Sequence, residues 1–281
     1  MYTTQEYTAS LDIDKYLEEY VSIEEFLECC KACGNYGTKW SCPPYDFDVK
    51  AYWRQFKRIF VIGVKISFDE DMRQRTYEKK ELDEIMSSVL GSEKAKLSEK
   101  LYELEEAYPG SVSLSAGSCG MCGGEMVRNH GECTRVASGE VCQPIEGVTE
   151  SALARKYCRH YDKMRYSIES IGGNVGKTCS KLLGLELEWA EENKLPGHFV
   201  LVSALLCKDS WPADGDLSGR SGLAASDNSG LSGLDKDSLR DRIAMDGGSN
   251  IDSLEADGLE LDSLEEDVRA EWYNLITSIA I

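Results

Sequence analysis

The stretch CKACGNYGTKWSCPP at residues 30–44 places three thiols, a Trp, a Tyr and a Pro pair in one short segment, and nothing else in the sequence restricts the fold as much. Cys30 and Cys33 form a CxxC, so one tight turn can aim both thiolates at the same metal, and Cys42 returns after eight intervening residues. Pro43 and Pro44 fix the backbone just beyond Cys42 and withhold two N–H donors, and a Cys-Pro step is a feature of iron–sulfur loops. The CxxxCxxC spacing of radical enzymes is not met: Cys29 and Cys33 supply its first interval, but Tyr36 stands where the third thiol belongs.

A second group comprises Cys119 and Cys122 in GSCGMCGG, followed by Cys133, Cys142 and Cys158. Five thiols exceed one four-ligand site. The glycines around the first two leave the backbone free to wrap an inorganic core and to offer it N–H groups. All eleven cysteines lie between Cys29 and Cys207, and an odd number cannot all pair within one chain. The opening residues MYTTQEYTAS lack the basic start and apolar core of a secretion signal. The longest apolar run, FVLVSALLC, is far short of the roughly 20 residues that span a bilayer. These features predict a soluble, cytoplasmic protein, where thiols are poor candidates for disulfides and metal binding is the better explanation. Cys29, Cys179 and Cys207 read as buried small hydrophobes, with one of them still a candidate to complete the first thiol set.

Zinc is the alternative metal, since two CxxC pairs can build a four-cysteine ribbon. The 85 residues between Cys33 and Cys119 are far longer than a ribbon loop, and with the Cys-Pro step they favour iron–sulfur, as one or two clusters. His130 and His160 lie in the thiol-rich region but are expected outside the ligand set, because cysteines already outnumber the positions. Arg155, Arg159 and Arg165 are candidates to set positive charge beside an anionic thiolate centre.

A formal charge of −19 and a pI near 4.6 exclude nonspecific binding to nucleic acid or an anionic membrane, which requires clustered Lys and Arg. Residues 208–281 carry 17 acidic against 6 basic residues, a net −11 of that total, and are rich in Gly, Ser, Asp and Leu. They are expected to form an acidic, mostly flexible tail, with a C-terminal helix over 263–280 on the face Leu264, Val268, Trp272, Leu275 and Ile279.

In residues 1–207, SLDIDKYLEEYVSIEEFLECC reads as a helix capped by Ser10 or Asp12 and leading into the first thiols. RIFVIGVKISF reads as a buried strand, and Leu82, Met86 and Leu90 with Leu97, Leu101 and Leu104 as one long helix. SVSLS reads as a second strand, SKLLGLELEWAEEN as a helix and HFVLVSALLC as a third strand. The order predicts an α/β or α+β fold: a small sheet covered by helices, with the cysteine motifs in loops at element ends.

CKACGNYGTKWSCPPYDFD, AGSCGMCGG and CRHYDKMRYSIESIGGNVGKTCSKLLGLELEW together resemble an uncharacterised domain-of-unknown-function family of predicted metal-binding proteins, frequent in anaerobes. The resemblance covers roughly residues 10 to 207 and implies metal binding without implying a reaction. It also implies a Cys-Arg-His-Pro-like segment before the Arg-Tyr-Ser motif. GEVCQP around Cys142 and YCRHYDKMRYS around Cys158 each match it in part, so either thiol is a candidate to close the second site.

GGNVGKT at 172–178 is one residue short of a phosphate-binding loop and does not follow a strand, so Gly172 and Gly173 read as a helix end and Asn174 or Thr178 as the next start. No nucleophile–base triad or paired carboxylate stands out by spacing. The function expected is electron transfer or low-potential redox chemistry with a redox partner protein. The alternative is a zinc-stabilised, non-enzymatic scaffold or metal-handling protein.

Overall fold

The computed structural model describes residues 1–122, 132–137, 149–191 and 193–208. Four antiparallel strands form one sheet in the order β1 (Tyr2–Asp12), β2 (Arg58–Phe68), β4 (His198–Cys207), β3 (Val112–Leu114). With its helices the architecture is α+β. Between β1 and β2 lie α1 (Ile13–Tyr20), α2 (Ile23–Lys31) and α3 (Val49–Trp53). Between β2 and β3 lie α4 (Glu70–Arg73) and the long α5 (Lys79–Ala107), and before β4 come α6 (Thr134–Ala137), α7 (Glu150–Tyr157) and α8 (Val175–Lys177).

The central strands are apolar because both of their faces are covered. Ile59 and Val61 of β2, with Val202, Ala204 and Leu206 of β4, point into a core shared with Tyr16, Phe26, Trp53, Ile168 and Ile171. By strand alternation Phe60, Ile62 and Leu205 face the opposite side, where α5 packs on β3 and β4. Trp53 is fully buried and its indole N–H donates to the Ile171 carbonyl at 2.8 Å, tying α3 to the chain before α8. Gly63 of β2 lies where an added Cβ would come within 2.6 Å of Leu183, so its bareness lets that leucine reach the sheet.

The strands expected at 58–68, 111–115 and 198–207 and the long helix through Gly91 are present. Three local expectations need correction. Residues 2–12 form an edge strand, so Ser10 is not a helix cap, and Asp12 occupies the cap position of α1 without a side-chain capping bond. The helix expected through Cys30 is broken at Val21, which is extended and bridges to Gly173, while the Ser22 N–H donates to the Gly172 carbonyl. The helix expected over SKLLGLELEWAEEN ends as a π-turn at Leu182. Beyond it Leu183, Leu185, Leu187 and Trp189 turn inward while Gly184, Glu186 and Glu188 are exposed, the period of two that belongs to extended chain. The acidic tail and its expected helix lie outside the described residues.

The GGNVGKT segment is a structural turn. Gly172 has φ +83° and an added Cβ would meet the Ile23 Cα at 2.8 Å, whereas the Asn174 side chain accepts from the Lys177 N–H and caps α8. Gly176 has only ordinary contacts, the nearest at 3.5 Å. Gly172→Ala is therefore expected to lower unfolding stability by about 1–3 kcal/mol, from a left-handed backbone forced on a side chain. Gly176→Ala is expected to leave it unchanged or raise it by up to about 1 kcal/mol. Urea denaturation of the two variants measures both, and equal effects would contradict the turn assignment.

Candidate metal centre

Cys30 closes the last turn of α2, and the next turn brings Cys33 round, its N–H donating to the Cys30 carbonyl at 3.0 Å. The Asn35 N–H points at the Cys33 sulfur at 3.4 Å. Cys42 returns beside them, close enough that Cys42 and Cys33 both raise the Cys30 thiol. Burial is the main cause of that rise, which takes Cys30 to about 12 and Cys42 to about 11. Cys30, Cys33 and Cys42 thus share one neighbourhood. Cys29, one residue earlier, packs against the apolar core.

Cys119, Cys122, Cys133 and Cys158 come from three separate segments and line one cavity of about 510 Å³. Cys119 and Cys122 follow β3, Cys133 immediately precedes α6, and Cys158 caps the C-terminus of α7. Cys119, Cys133 and Cys158 also pack on the small apolar cluster of Trp40, Leu153, Ala154 and Met164. Burial, with the neighbouring Cys119, Cys133 and Cys122 adding to it, raises the Cys158 thiol to about 11. Of the two thiols left open for this position, Cys158 lies with the other three, and Cys142 lies outside the described residues, as does His130. His160 lines the same cavity.

The two thiol groups meet at a polar seam. The Cys119 N–H donates to the Ser41 hydroxyl at 3.0 Å, Lys39 Nζ to the Ser118 hydroxyl at 2.9 Å, and Lys94 Nζ to the Ser118 carbonyl at 2.5 Å. Arg135 holds the first loop from the other side: its guanidinium donates to the carbonyls of Lys39 at 2.8 Å, Cys42 at 2.7 Å and Pro44 at 3.1 Å. It also pairs with Glu150 and lies 5.5 Å from the Trp40 ring centre. Desolvation draws the Lys94 ammonium down to about 8, and the neighbouring Cys119 pulls the other way.

Of the three arginines expected beside the thiols, one is there. Arg165 is engaged by Glu105, and Arg155 lies over Tyr161; of the three only Arg159 acts on a thiol, opposing in part the rise that burial and the other cysteines impose on Cys122. Lys94 sits in a segment whose local pattern reads as helix surface, and Arg135 lies between two thiols without a motif of its own, so the sequence singles out neither.

The chain matches the predicted metal-binding protein family DUF2284 over residues 17–207. It belongs to that family. No curated protein and no solved structure matches it. Ten cysteines lie among the described residues and none is in a disulfide. Among those residues no group of three or more His, Cys, Asp or Glu side chains is drawn together closely enough to hold a metal ion as it stands. Coordination at these thiols would require that they first ionise. In donor type, number and enclosure the thiols suit a soft, thiophilic metal or cluster.

Metal loading must therefore expel protons. Each thiol with a pKa above the working pH releases one, so the apparent affinity should rise roughly tenfold per pH unit for each thiol coordinated. The rise should continue toward pH 11, where Cys42 and Cys158 ionise unaided. Competition titrations with a chelator between pH 6.5 and 8.5 measure the slope, and a pH-independent affinity would exclude thiolate ligation. Arg135→Lys should lower metal retained per chain and thermal stability together. A lysine cannot span three carbonyls, and each charged hydrogen bond lost costs about 1.5–3 kcal/mol.

Proposed function

We propose that the thiol groups hold iron–sulfur clusters, one on Cys30, Cys33 and Cys42 and one on Cys119, Cys122, Cys133 and Cys158, and that the protein acts in electron transfer or low-potential redox chemistry with a partner protein in the cytoplasm. The observation that carries this reading is the cavity of about 510 Å³ bordered by four thiols. Four sulfurs around a single zinc stand only about 3.8 Å apart, on bonds of about 2.3 Å. One ion requires no more room than the roughly 30 Å³ share of a water molecule, so the cavity suits a multi-atom inorganic core better. The Cys42-Pro43 step and the glycines around Cys119 and Cys122 support the same choice.

When bound, such clusters would supply the redox change; the chain supplies thiolates, a low-dielectric wall and fixed positive charge. Trp40, Leu153 and Met164 form an apolar wall against which Cys119, Cys133 and Cys158 pack. Lys94 and Arg159 set cationic charge beside Cys119 and Cys122, which favours the more negative, reduced state of a bound centre. No helix among the described residues is long and apolar enough to cross a membrane.

Anaerobic purification followed by iron, acid-labile sulfide and zinc analysis tests the reading. Iron and sulfide in equal amounts with a brown absorbance support it; stoichiometric zinc in colourless protein overturns it in favour of a structural scaffold. Cys158→Ser should remove the second centre's share of the metal while Cys142→Ser leaves it in place, and the reverse result would exchange the two assignments.

A further inference from the structure

The first thiol group offers three sulfurs where both a tetrahedral metal and a cubane cluster have four corners to fill. Cys29 is the nearest thiol in sequence, but it is committed to the apolar core. The structure brings another donor to the place. Glu169 opens a short 3₁₀ turn, Glu169–Ile171, that packs against α2, and the Cys30 sulfur lies 4.0 Å from the Glu169 carbonyl oxygen.

The residue keeps some exposed surface, but its carboxylate is enclosed and Oε2 has no hydrogen-bond partner. The Ser167 hydroxyl and the residue's own N–H face the carboxylate, and neither occupies that oxygen. No ion pair within 4.0 Å neutralises it among the described residues, and Lys94, the nearby cation, spends a hydrogen bond on the Ser118 carbonyl. An enclosed carboxylate oxygen without a donor is costly, and such a group in a folded protein calls for a reason, a bound ion being one. Next to Cys42, Glu169 is the neighbour that acts most strongly on Cys30, ahead of Cys33 and Cys29.

We propose that the Glu169 carboxylate, through Oε2, is the fourth protein ligand of the centre formed by Cys30, Cys33 and Cys42. The set is then three thiolates, from the end of α2 and the loop that follows it, and one carboxylate from the Glu169–Ile171 turn. Carboxylate oxygen is a harder donor than thiolate and binds a thiophilic metal less firmly. The corner held by Glu169 is therefore the exchangeable one, where an outside ligand would enter.

The assignment rests on metal binding at the first thiol group, and iron is its expected form. Full-length wild type, Glu169→Gln and Glu169→Cys are purified anaerobically and compared for metal and sulfide per chain and for electron paramagnetic resonance after mild oxidation. Glu169→Gln should lose metal from the first centre and show the signal of a cluster that has shed one iron. Glu169→Cys should regain the wild-type iron content with a lower midpoint potential, since a thiolate of the same charge is the softer donor and gives more electron density to iron than a carboxylate. Equal metal content and an identical spectrum in wild type and Glu169→Gln would overturn the assignment. Zinc in the wild type would overturn the iron reading alone; the ligand would then be judged by whether zinc per chain falls in Glu169→Gln and returns in Glu169→Cys. Circular dichroism of the metal-free proteins separates misfolding from ligand loss. Should Glu169→Gln not fold, full metal with an unshifted potential in Glu169→Cys would equally sink the proposal.

Discussion

The hydrogen bond from the Cys119 N–H to the Ser41 hydroxyl joins two loops that lie 78 residues apart in sequence, and both thiol groups owe their relation to it. Ser41 is almost completely buried, at 1% exposure, so the bond forms away from competing water. Around it Lys39 and Lys94 hold Ser118, and Arg135 gathers three carbonyls of the Lys39–Pro44 loop. Neither loop has regular secondary structure, so these polar contacts take the place of a ladder in satisfying the backbone. The sheet supplies the frame: β3 delivers Cys119, while α2, packed under β2, delivers Cys30.

Much of the frame was legible in the sequence because its signals are local. The apolar runs of β2 and β4 and the repeat through α5 depend on nothing distant. The edge strand β1 is hard to read because Thr3, Thr4, Gln5 and Glu6 are all exposed, and the alternation of Tyr7, Ala9 and Leu11 runs straight into the helical pattern that begins at Ile13. The LGLELEW segment reads as helix because its leucines can be counted at spacing four as well as two, and only the core it packs against decides which. The break at Val21 depends on backbone partners at Gly172 and Gly173, about 150 residues away, which no local window contains.

For the candidate site the division is similar. A CxxC predicts its own convergence, so Cys30 with Cys33 and Cys119 with Cys122 could be grouped from spacing alone. That Cys133 and Cys158 would line one cavity with the second pair required the fold, since one precedes α6 and the other ends α7. The charges were least legible. Arg165 resembles a cluster-facing cation in sequence but is consumed by Glu105, whereas Lys94 sits on α5 among many similar lysines and is distinguished only by burial.

Burial also explains why charge and metal must be considered together. An ammonium at Lys94 and a carboxylate at Glu169 are both taken out of water near neutral thiols, and desolvation moves each toward its uncharged form. Without metal the region is an unfavourable place for any charge. Once the thiols ionise on a metal, the balance reverses, because the anionic sulfurs favour the charged form of Lys94 and the metal gives the Glu169 oxygen a partner. The same enclosure that keeps the thiols protonated alone makes them, when ionised, the centre that holds these side chains in place. Coordination and the packing of the seam are then one cooperative event, and the stability of the loops is tied to the occupancy of the site.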